Sequence, residues 1–221
     1  ALEAARDRAR GGHGLTVALL ATLAQRWLIP RLAAFQELRP DLEVRLLTTS
    51  AMVDLDREDV DLAIRVGDGR WPGCRADFLA ANDLFPVAAP MLLANRPLHA
   101  LADLAGHVWI HVDASPRRDD WGRWLNAAGA TELVSAGRMA FANSAQALDA
   151  AAAGLGVAMA HAPFVAADLA SGRLVRPFPE RVAEPDAFYL VANAADADAP
   201  HIRAFRDWLL STVPQHSRDP V

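Results

Sequence analysis

The sequence predicts an α/β fold made of two lobes. Apolar, strand-like runs alternate with helical patterns from residue 15 to residue 66, and this order is typical of a parallel sheet covered by helices. A second α/β series begins after about residue 90, and no long linker separates the two. A chain of 221 residues is long enough for one large domain or for two small domains of about 100 residues each.

The first series contains three strands and two helices. The apolar run at 15–20 predicts a strand, and the periodic pattern that follows predicts a helix over 22–39. Pro30 lacks a backbone N–H, so we expect it to kink or split that helix. A second strand at 42–47, a short helix at 51–57 and a third strand at 61–66 complete the series.

The second series is longer and ends in a helix. The predicted strands are 78–89, 107–112, 138–141, 157–160 and 187–192, and the predicted helices are 101–104, 121–128, 144–153, 163–170 and 201–213. We expect the chain to cross between the lobes near 80–90 and 187–194, and the last helix to pack on the first lobe. A cleft between two such lobes is the default place for a ligand.

Composition excludes several classes of protein. The net charge is −5, without a basic stripe, so the chain alone is a poor binder of nucleic acid. The sequence has no apolar run of about 18 residues, which argues against a membrane span. Cys74 is the single cysteine, which rules out an internal disulfide and favours a reducing compartment, the cytoplasm. Residues 1–13 are charged and alanine-rich, and we interpret them either as the end of a longer helix or as an expression tail.

Short polar residues follow three of the predicted strands. Thr22 and Asn143 each have glutamine three residues later, at Gln25 and Gln146, which predicts a capping box at the start of a helix. A third set, Thr49, Ser50 and Asp54, follows the second strand. Helix N-termini at the carboxyl edge of a sheet favour anionic groups. Every helix needs a cap, however, so a purely structural role for each set stays open.

Arg65 lies near the carboxyl end of the third strand, before the glycine-rich corner 67–73. It is a candidate partner for an acidic ligand, although pairing with Asp54 or Asp61 is the structural alternative. The spacing of the glycines does not match a dinucleotide-binding fingerprint. His107 and His111 would lie about 13 Å apart along a strand and could not share a metal ion. The sequence therefore predicts no catalytic set, no metal site and no cofactor.

Several segments, in this order, resemble the effector-binding domain of LysR-type transcriptional regulators. They include LTVALLATLAQRWLIPRLAAFQELRPDLEVRLLTTS, VDLDREDVDLAIRVGDGRWPG, NSAQALDAAAAGLGVAMAHAPFVAADLASGRLVRPF and RAFRDWLL. The branch they resemble most is that of the glycine-cleavage activator and the β-lactamase regulator. The similarity extends over about residues 14 to 213 and implies two Rossmann-like subdomains of the periplasmic-binding-protein type II kind, joined by two crossing strands.

The resemblance also implies an organisation and a site. Residues 1–13 correspond to the end of a linker helix, 14–90 with 194–213 to subdomain I, and 91–193 to subdomain II. The ligand-binding residues it implies are Thr22, Thr49, Ser50, Asp54, Asn143 and Ser144, with Arg65 nearby and either Phe188 or Tyr189 from the last crossing strand. If the aromatic position is Phe188, the ligand loses a hydroxyl partner. His161 departs from the family pattern, which often has arginine there.

The function implied is regulatory and not enzymatic. A small effector, anionic or peptide-like, would bind the cleft and act on a DNA-binding head that lies outside this sequence. The family is implied to form dimers through side-by-side lobes, and tetramers when the linker helix is present. Three alternatives remain: a solute-binding protein of a transport system, an enzyme on the same scaffold, and an oligomerisation module with a filled cleft.

Overall fold

The computed structural model describes residues 14–51, 55 and 58–213. The predicted tail 1–13, the candidate ligand residue Asp54 and most of the predicted helix 51–57 lie outside the described residues. The described chain divides into two compact units. Unit 1 contains the described residues up to Ala81 and those from Pro185 onward, and unit 2 is Asn82–Glu184.

These bounds differ from the predicted subdomains at both crossings. The predicted strand 78–89 is two strands, β4 (Cys74–Ala80) in unit 1 and β5 (Leu84–Val87) in unit 2. The second crossing likewise precedes strand β9 (Ala187–Asn193), which pairs with β3 (Leu62–Gly67) and β4 and therefore belongs to unit 1. The division is short in sequence, because only Ala81–Asp83 separates the apolar end of β4 from the apolar strand β5.

Unit 1 has one mixed sheet of five strands in the order β2-β1-β3-β9-β4. Its remaining strands are β1 (Gly14–Leu19), β2 (Glu43–Thr48) and β3 (Leu62–Gly67). Strand β1 pairs in parallel with both β2 and β3, whereas β9 is antiparallel to β3 and β4. The carboxyl ends of β2, β1 and β3 therefore meet at one edge of the sheet.

The first helical stretch is continuous from Ala21 to Leu38, but its middle is widened. It consists of α1 (Ala21–Leu23), a π-helical segment (Ala24–Leu28) and α2 (Ile29–Leu38). The Ile29 N–H bonds to the Ala24 carbonyl, five residues back. The widening precedes Pro30, whose ring would otherwise crowd the carbonyl of the preceding turn. Pro30 thus neither splits nor ends the helix, and the predicted disruption takes the form of a π-bulge.

The last helix, α7 (Pro200–Thr212), packs in unit 1 as predicted. Phe35 of α2 contacts Phe205 edge to face, with ring centroids 5.0 Å apart, and Trp208 at 4.8 Å. Phe35 and Phe205 are fully buried. This aromatic contact joins the start of unit 1 to its end, across the whole of unit 2 in sequence.

Unit 2 has a four-stranded sheet in the order β5-β8-β6-β7. Its strands besides β5 are β6 (Val108–Val112), β7 (Gly137–Phe141) and β8 (Val157–His161). Its helices are α3 (Pro90–Asn95), α4 (Asp120–Ala127), α5 (Ser144–Ala152) and α6 (Ala162–Ala170). Two 3₁₀ turns lie at Leu101–Gly106 and Arg117–Asp119. Strand β6 is parallel to β7 and β8, and edge strand β5 is antiparallel to β8. Pro86 lies in β5, an edge strand of this sheet, where a proline is tolerated.

The core of unit 2 is built around tryptophan. Trp109 of β6 stacks on Trp121 of α4 with ring centroids 4.4 Å apart, and Trp121 meets Trp124 edge to face. The indole N–H groups donate to the carbonyls of Leu104 and Ile110, which satisfies them inside the core. Trp121 and Trp124, three residues apart on α4, both belong to this buried cluster. Among the described residues, no helix has the length and hydropathy needed to cross a membrane.

Candidate functional site

The carboxyl edge of the unit 1 sheet brings together four of the predicted ligand residues. Leu19, the end of β1, is paired with Thr48, the end of β2. Thr22 follows the first of these strand ends, and Thr49 with Ser50 follows the second. Arg65 lies two residues beyond Ala63, which pairs with Ala18 of β1. Neighbouring parallel strands therefore deliver these side chains to the same edge, as open α/β sheets do at ligand sites.

Thr22 does not cap its helix, and the predicted capping box at 22–25 is wrong. The N-cap residue is Leu20, in an extended conformation and with no side-chain hydrogen bond to the helix. Thr22 lies in the first turn, and the residue is 8% exposed. Its hydroxyl has no protein hydrogen-bond partner among the described residues, and it is not one of their fully buried unsatisfied atoms. The Thr22 hydroxyl is therefore available to bind water or a ligand at the sheet edge.

Thr49 and Ser50 differ in how far they are engaged. The Thr49 N–H donates to the Leu19 carbonyl at 3.0 Å, which fixes the backbone beside the end of β1. Its hydroxyl oxygen accepts the Ala51 N–H at 3.0 Å, a local bond of the kind that starts a turn or helix. Ser50 is exposed. The backbone at this strand end is therefore ordered by hydrogen bonds, and the Ser50 side chain faces solvent.

Phe188 and Tyr189 lie on opposite faces of the unit 1 sheet, because successive residues of a strand alternate. Tyr189 is paired with Arg65 and Phe188 with Val66. Phe188 is fully buried, while Tyr189 and Arg65 are half-buried on one face. A ligand on the Arg65 face of this sheet would therefore contact Tyr189, and a ligand on the other face would contact Phe188.

The glycine-rich corner after β3 allows aromatic rings to close on the backbone. A Cβ on Gly67 would lie 2.8 Å from Trp71 Cζ2, and one on Gly69 would lie 2.9 Å from Tyr189 Cζ. Gly69 also has φ +83°, a conformation that favours glycine. Tyr189 in turn meets Trp71 edge to face at 5.6 Å. The corner thus fixes the ring that lies opposite Arg65.

Asn143 and Ser144 follow strand β7 in unit 2, as Thr49 and Ser50 follow strand β2 in unit 1. The Asn143 carboxamide oxygen accepts the Gln146 N–H at 3.0 Å, so Asn143 is the N-cap of helix α5. The predicted cap is confirmed, but the reciprocal bond from the Gln146 side chain is not found among the described residues. Ser144 is 9% exposed, and its hydroxyl has no hydrogen-bond partner in the described part of the chain. It matches Thr22 in this respect.

A buried polar network near the end of β8 was missed by the sequence analysis. His161, the last residue of β8, is 1% exposed. Its Nδ1 lies 2.8 Å from Asn82 Oδ1, and its Nε2 lies 2.6 Å from Arg117 Nη1 and 3.2 Å from Asp120 Oδ2. Arg123 continues the network by contacting both Asp120 and Glu184.

The surroundings of His161 act on its pKa in opposite directions. Burial lowers the pKa of His161, and the charge of Arg117 lowers it further, whereas the hydrogen bond to Asp120 raises it. Arg117 Nη1, which can only donate, lies 2.6 Å from Nε2 and 3.2 Å from Nδ1. Burial also lowers the pKa of Arg117, although an arginine remains charged at neutral pH. His161 is thus a buried ring in contact with a charged guanidinium, and burial disfavours its protonation.

Part of this network had a signal in the sequence. Asp120 stands at the start of the helix with the tryptophan pair, and His161 ends an apolar strand, which are positions where polar side chains reach a sheet edge. Asn82 and Glu184 lie in irregular segments at the two ends of unit 2, and no local pattern marks them. Only the fold brings these four side chains together.

Comparison with known proteins gives consistent matches. The family model described as the LysR substrate binding domain matches residues 9–214. The chain is 40% identical over 206 residues to the glycine cleavage system transcriptional activator of Escherichia coli K12, covering 92% of this chain and 67% of that protein. It is 36% identical over 216 residues to the HTH-type transcriptional activator AmpR of Pseudomonas aeruginosa, covering 96% of this chain and 71% of that protein.

Solved structures agree with these sequence matches. The effector domain of the transcriptional regulator AmpR of P. aeruginosa superposes with a TM-score of 0.71 at 34% identity, covering 93% of this chain and 98% of that one. The AmpR effector-binding domain from Citrobacter freundii gives a TM-score of 0.70 at 27% identity, covering 90% of this chain and 97% of that one. The predicted fold class is confirmed. The chain belongs to the LysR substrate-binding domain family and is an effector-binding domain of a LysR-type transcriptional regulator, a family of regulators and not of enzymes.

Proposed function

We propose that this domain senses a small ligand, anionic or peptide-like, through polar side chains that follow the strands of its two sheets. The binding residues we propose are Thr22, Thr49, Ser50, Asp54, Arg65, Asn143 and Ser144, with Phe188 or Tyr189 as the aromatic contact. The observation that supports this most directly is that Thr22 and Ser144, two little-exposed residues, each follow a strand of a parallel pair and have hydroxyls without a protein partner among the described residues. A ligand with polar groups would form hydrogen bonds with both hydroxyls.

Ligand binding would regulate DNA binding by a segment outside this sequence. The ligand can shift the protein between conformations only if it binds one of them more tightly. We further propose that the full-length protein acts in the cytoplasm as a homodimer or a tetramer. The relatives named above are transcriptional activators, and they support a coupling between ligand and DNA without identifying the ligand.

A first experiment would find the ligand and then test the two hydroxyls. Amino acids, short peptides and small carboxylates would be screened by the thermal shift of the 221-residue chain, and hits would be measured by calorimetry. We expect Thr22→Val and Ser144→Ala each to weaken binding of a hit by about threefold to tenfold, since each removes one hydrogen bond worth about 1 kcal/mol. Both substitutions should leave the circular dichroism spectrum unchanged.

Matched controls are available in the same chain. Ser171 and Thr212 have hydroxyls that donate to helical carbonyls, Asp168 at 3.2 Å and Leu209 at 2.8 Å, away from the strand ends. Ser171→Ala and Thr212→Val should not change the affinity. Unchanged affinity in Thr22→Val and Ser144→Ala as well would refute the proposed site. Tight binding by a full-length protein whose affinity for DNA never responds to the ligand would favour the solute-binding alternative.

A further inference from the structure

Arg117 differs from the other arginines of unit 2 in its surroundings. Four of these arginines contact a carboxylate: Arg118, Arg123, Arg173 and Arg181. Three others are exposed to solvent: Arg96, Arg138 and Arg176. Arg117 is half-buried, and none of the ion pairs among the described residues includes it. Its charge is therefore partly removed from water without a carboxylate at contact distance.

The protein partner of Arg117 is the His161 ring, which contacts only part of the guanidinium. Nη1 donates to His161, and the guanidinium carbon lies 5.9 Å from the centre of the Phe164 ring. Asp120 and Glu184 act on Arg117 only from longer range, and Arg123 already pairs with both. An arginine has five N–H donors in a planar fork, so several donors remain without a protein acceptor in the described part of the chain.

We propose that Arg117, held in place by His161, is an oxyanion-binding residue that recognises a carboxylate or phosphate group. A guanidinium fork matches the two oxygens of such a group, and partial burial strengthens the interaction relative to an exposed arginine. Arg117 follows strand β6, and Asn143 and Ser144 follow its parallel neighbour β7. The inference therefore rests on the proposed function where it assigns this oxyanion to the effector.

The contact with the buried His161 ring restricts the position of the Arg117 side chain. The His161 ring is held by Asn82 at Nδ1, 2.8 Å away, and by Asp120 at Nε2, 3.2 Å away, and it contacts Arg117 Nη1 at 2.6 Å. The Phe164 ring gives the guanidinium an apolar face on which to rest. A side chain fixed in this way loses little conformational entropy when an anion binds.

The test is an anion titration of the 221-residue chain. Sodium phosphate and sodium acetate would be added separately at pH 7.5 and at constant ionic strength, with sodium chloride as the balancing salt. Binding would be followed by the thermal midpoint and by tryptophan fluorescence. We expect saturable binding of at least one oxyanion. Saturation by phosphate alone would indicate a phosphate group on the natural ligand, and saturation by acetate would indicate a carboxylate.

Arg117→Gln and Arg118→Gln form a matched pair for this titration. Arg118 is the next residue, is exposed and pairs with Asp113 at 2.8 Å. We expect Arg117→Gln to weaken oxyanion binding by about tenfold or more and Arg118→Gln to change it by less than twofold. If Arg117→Gln does not fold, Arg117→Lys keeps the charge without the fork and should lose about threefold to tenfold. Equal effects at both positions, or no saturable binding, would overturn the inference.

The inference and the proposed function fail in different experiments. Loss of oxyanion binding in Arg117→Gln with unchanged effector binding in Thr22→Val and Ser144→Ala would support this anion site and refute the proposed effector residues. The reverse result would support the effector residues and refute the role of Arg117. Thr22→Val lies in unit 1 and should leave the phosphate and acetate titrations unchanged, which keeps the two readouts independent.

Discussion

His161 shows how a single side chain can make this domain sensitive to pH. Below its ordinary pKa of 6.5, an unfolded chain would bind a proton at this histidine, whereas the folded protein resists it because burial lowers the pKa of His161. The unfolded state therefore binds more protons than the folded state in this range, and stability falls as the pH falls. Above pH 6.5 the ring is neutral in both states and this effect vanishes.

We therefore expect His161→Gln to reduce the pH dependence of stability below pH 6.5. The free energy of unfolding, measured with urea at pH 7.5, 6.5 and 5.5, should fall more steeply in the wild type, by up to about 1.4 kcal/mol for each pH unit. His107 and His111 also have pKa values lowered by burial, so the variant should keep a shallower slope of the same sign. Parallel curves for the two proteins would contradict this account.

Gly67 and Gly69 allow two aromatic rings to pack against the backbone after β3. Residues 59–73 bring a short apolar strand into a charged, glycine-rich corner, and the sequence alone allows either a surface turn or a ligand site. The contacts with Trp71 and Tyr189 explain why both glycines are needed, since any Cβ there would collide with a ring. The corner is thus a packing device that fixes an aromatic residue beside Arg65, whatever the ligand.

Most helices and strands were predicted close to their observed bounds, whereas the capping at Thr22 was not. The alternation of strands and helices along the chain was predictable, because apolar runs and periodic faces are local properties. Thr22 was mistaken for a cap because threonine followed by glutamine three residues later is a common helix start. The actual helix begins one residue earlier, at Ala21, so Thr22 lies within its first turn and does not cap it.

Helix α5 offers a clean test of capping at a candidate ligand site. Asn143→Ala removes the acceptor of the Gln146 N–H and should lower the free energy of unfolding by about 1 kcal/mol. Asn143→Asp keeps an acceptor and should restore most of that stability. Gln146→Ala should have a smaller effect, because no reciprocal bond from its side chain is found among the described residues. A loss in Gln146→Ala equal to that in Asn143→Ala would show that the capping box is complete in solution. Urea denaturation of the four proteins would measure these differences.

The whole molecule consists of two units that the chain forms in different ways. Unit 1 is assembled from two distant segments, and its aromatic contact between Phe35 and Phe205 forms only when both are present. Unit 2 is one continuous segment. The sequence indicated two lobes but misplaced their boundaries, because the register of β5 and β9 depends on partners that are far away in the chain. Such long-range pairings leave no local pattern.

Because unit 2 is one continuous segment of chain, we expect residues 82–184 to fold alone. Every member of its main hydrophobic cluster lies inside the segment, including Trp109, Trp121 and Trp124, and so does the network around His161. A core of this kind in about 100 residues is sufficient for an independent domain. The isolated segment should show near-ultraviolet circular dichroism from its tryptophans and one cooperative transition in urea. Trp124→Ala, which removes a fully buried ring, should cost about 3–5 kcal/mol and abolish that transition. A wild-type segment without near-ultraviolet signal would instead mean that unit 2 needs unit 1 to fold.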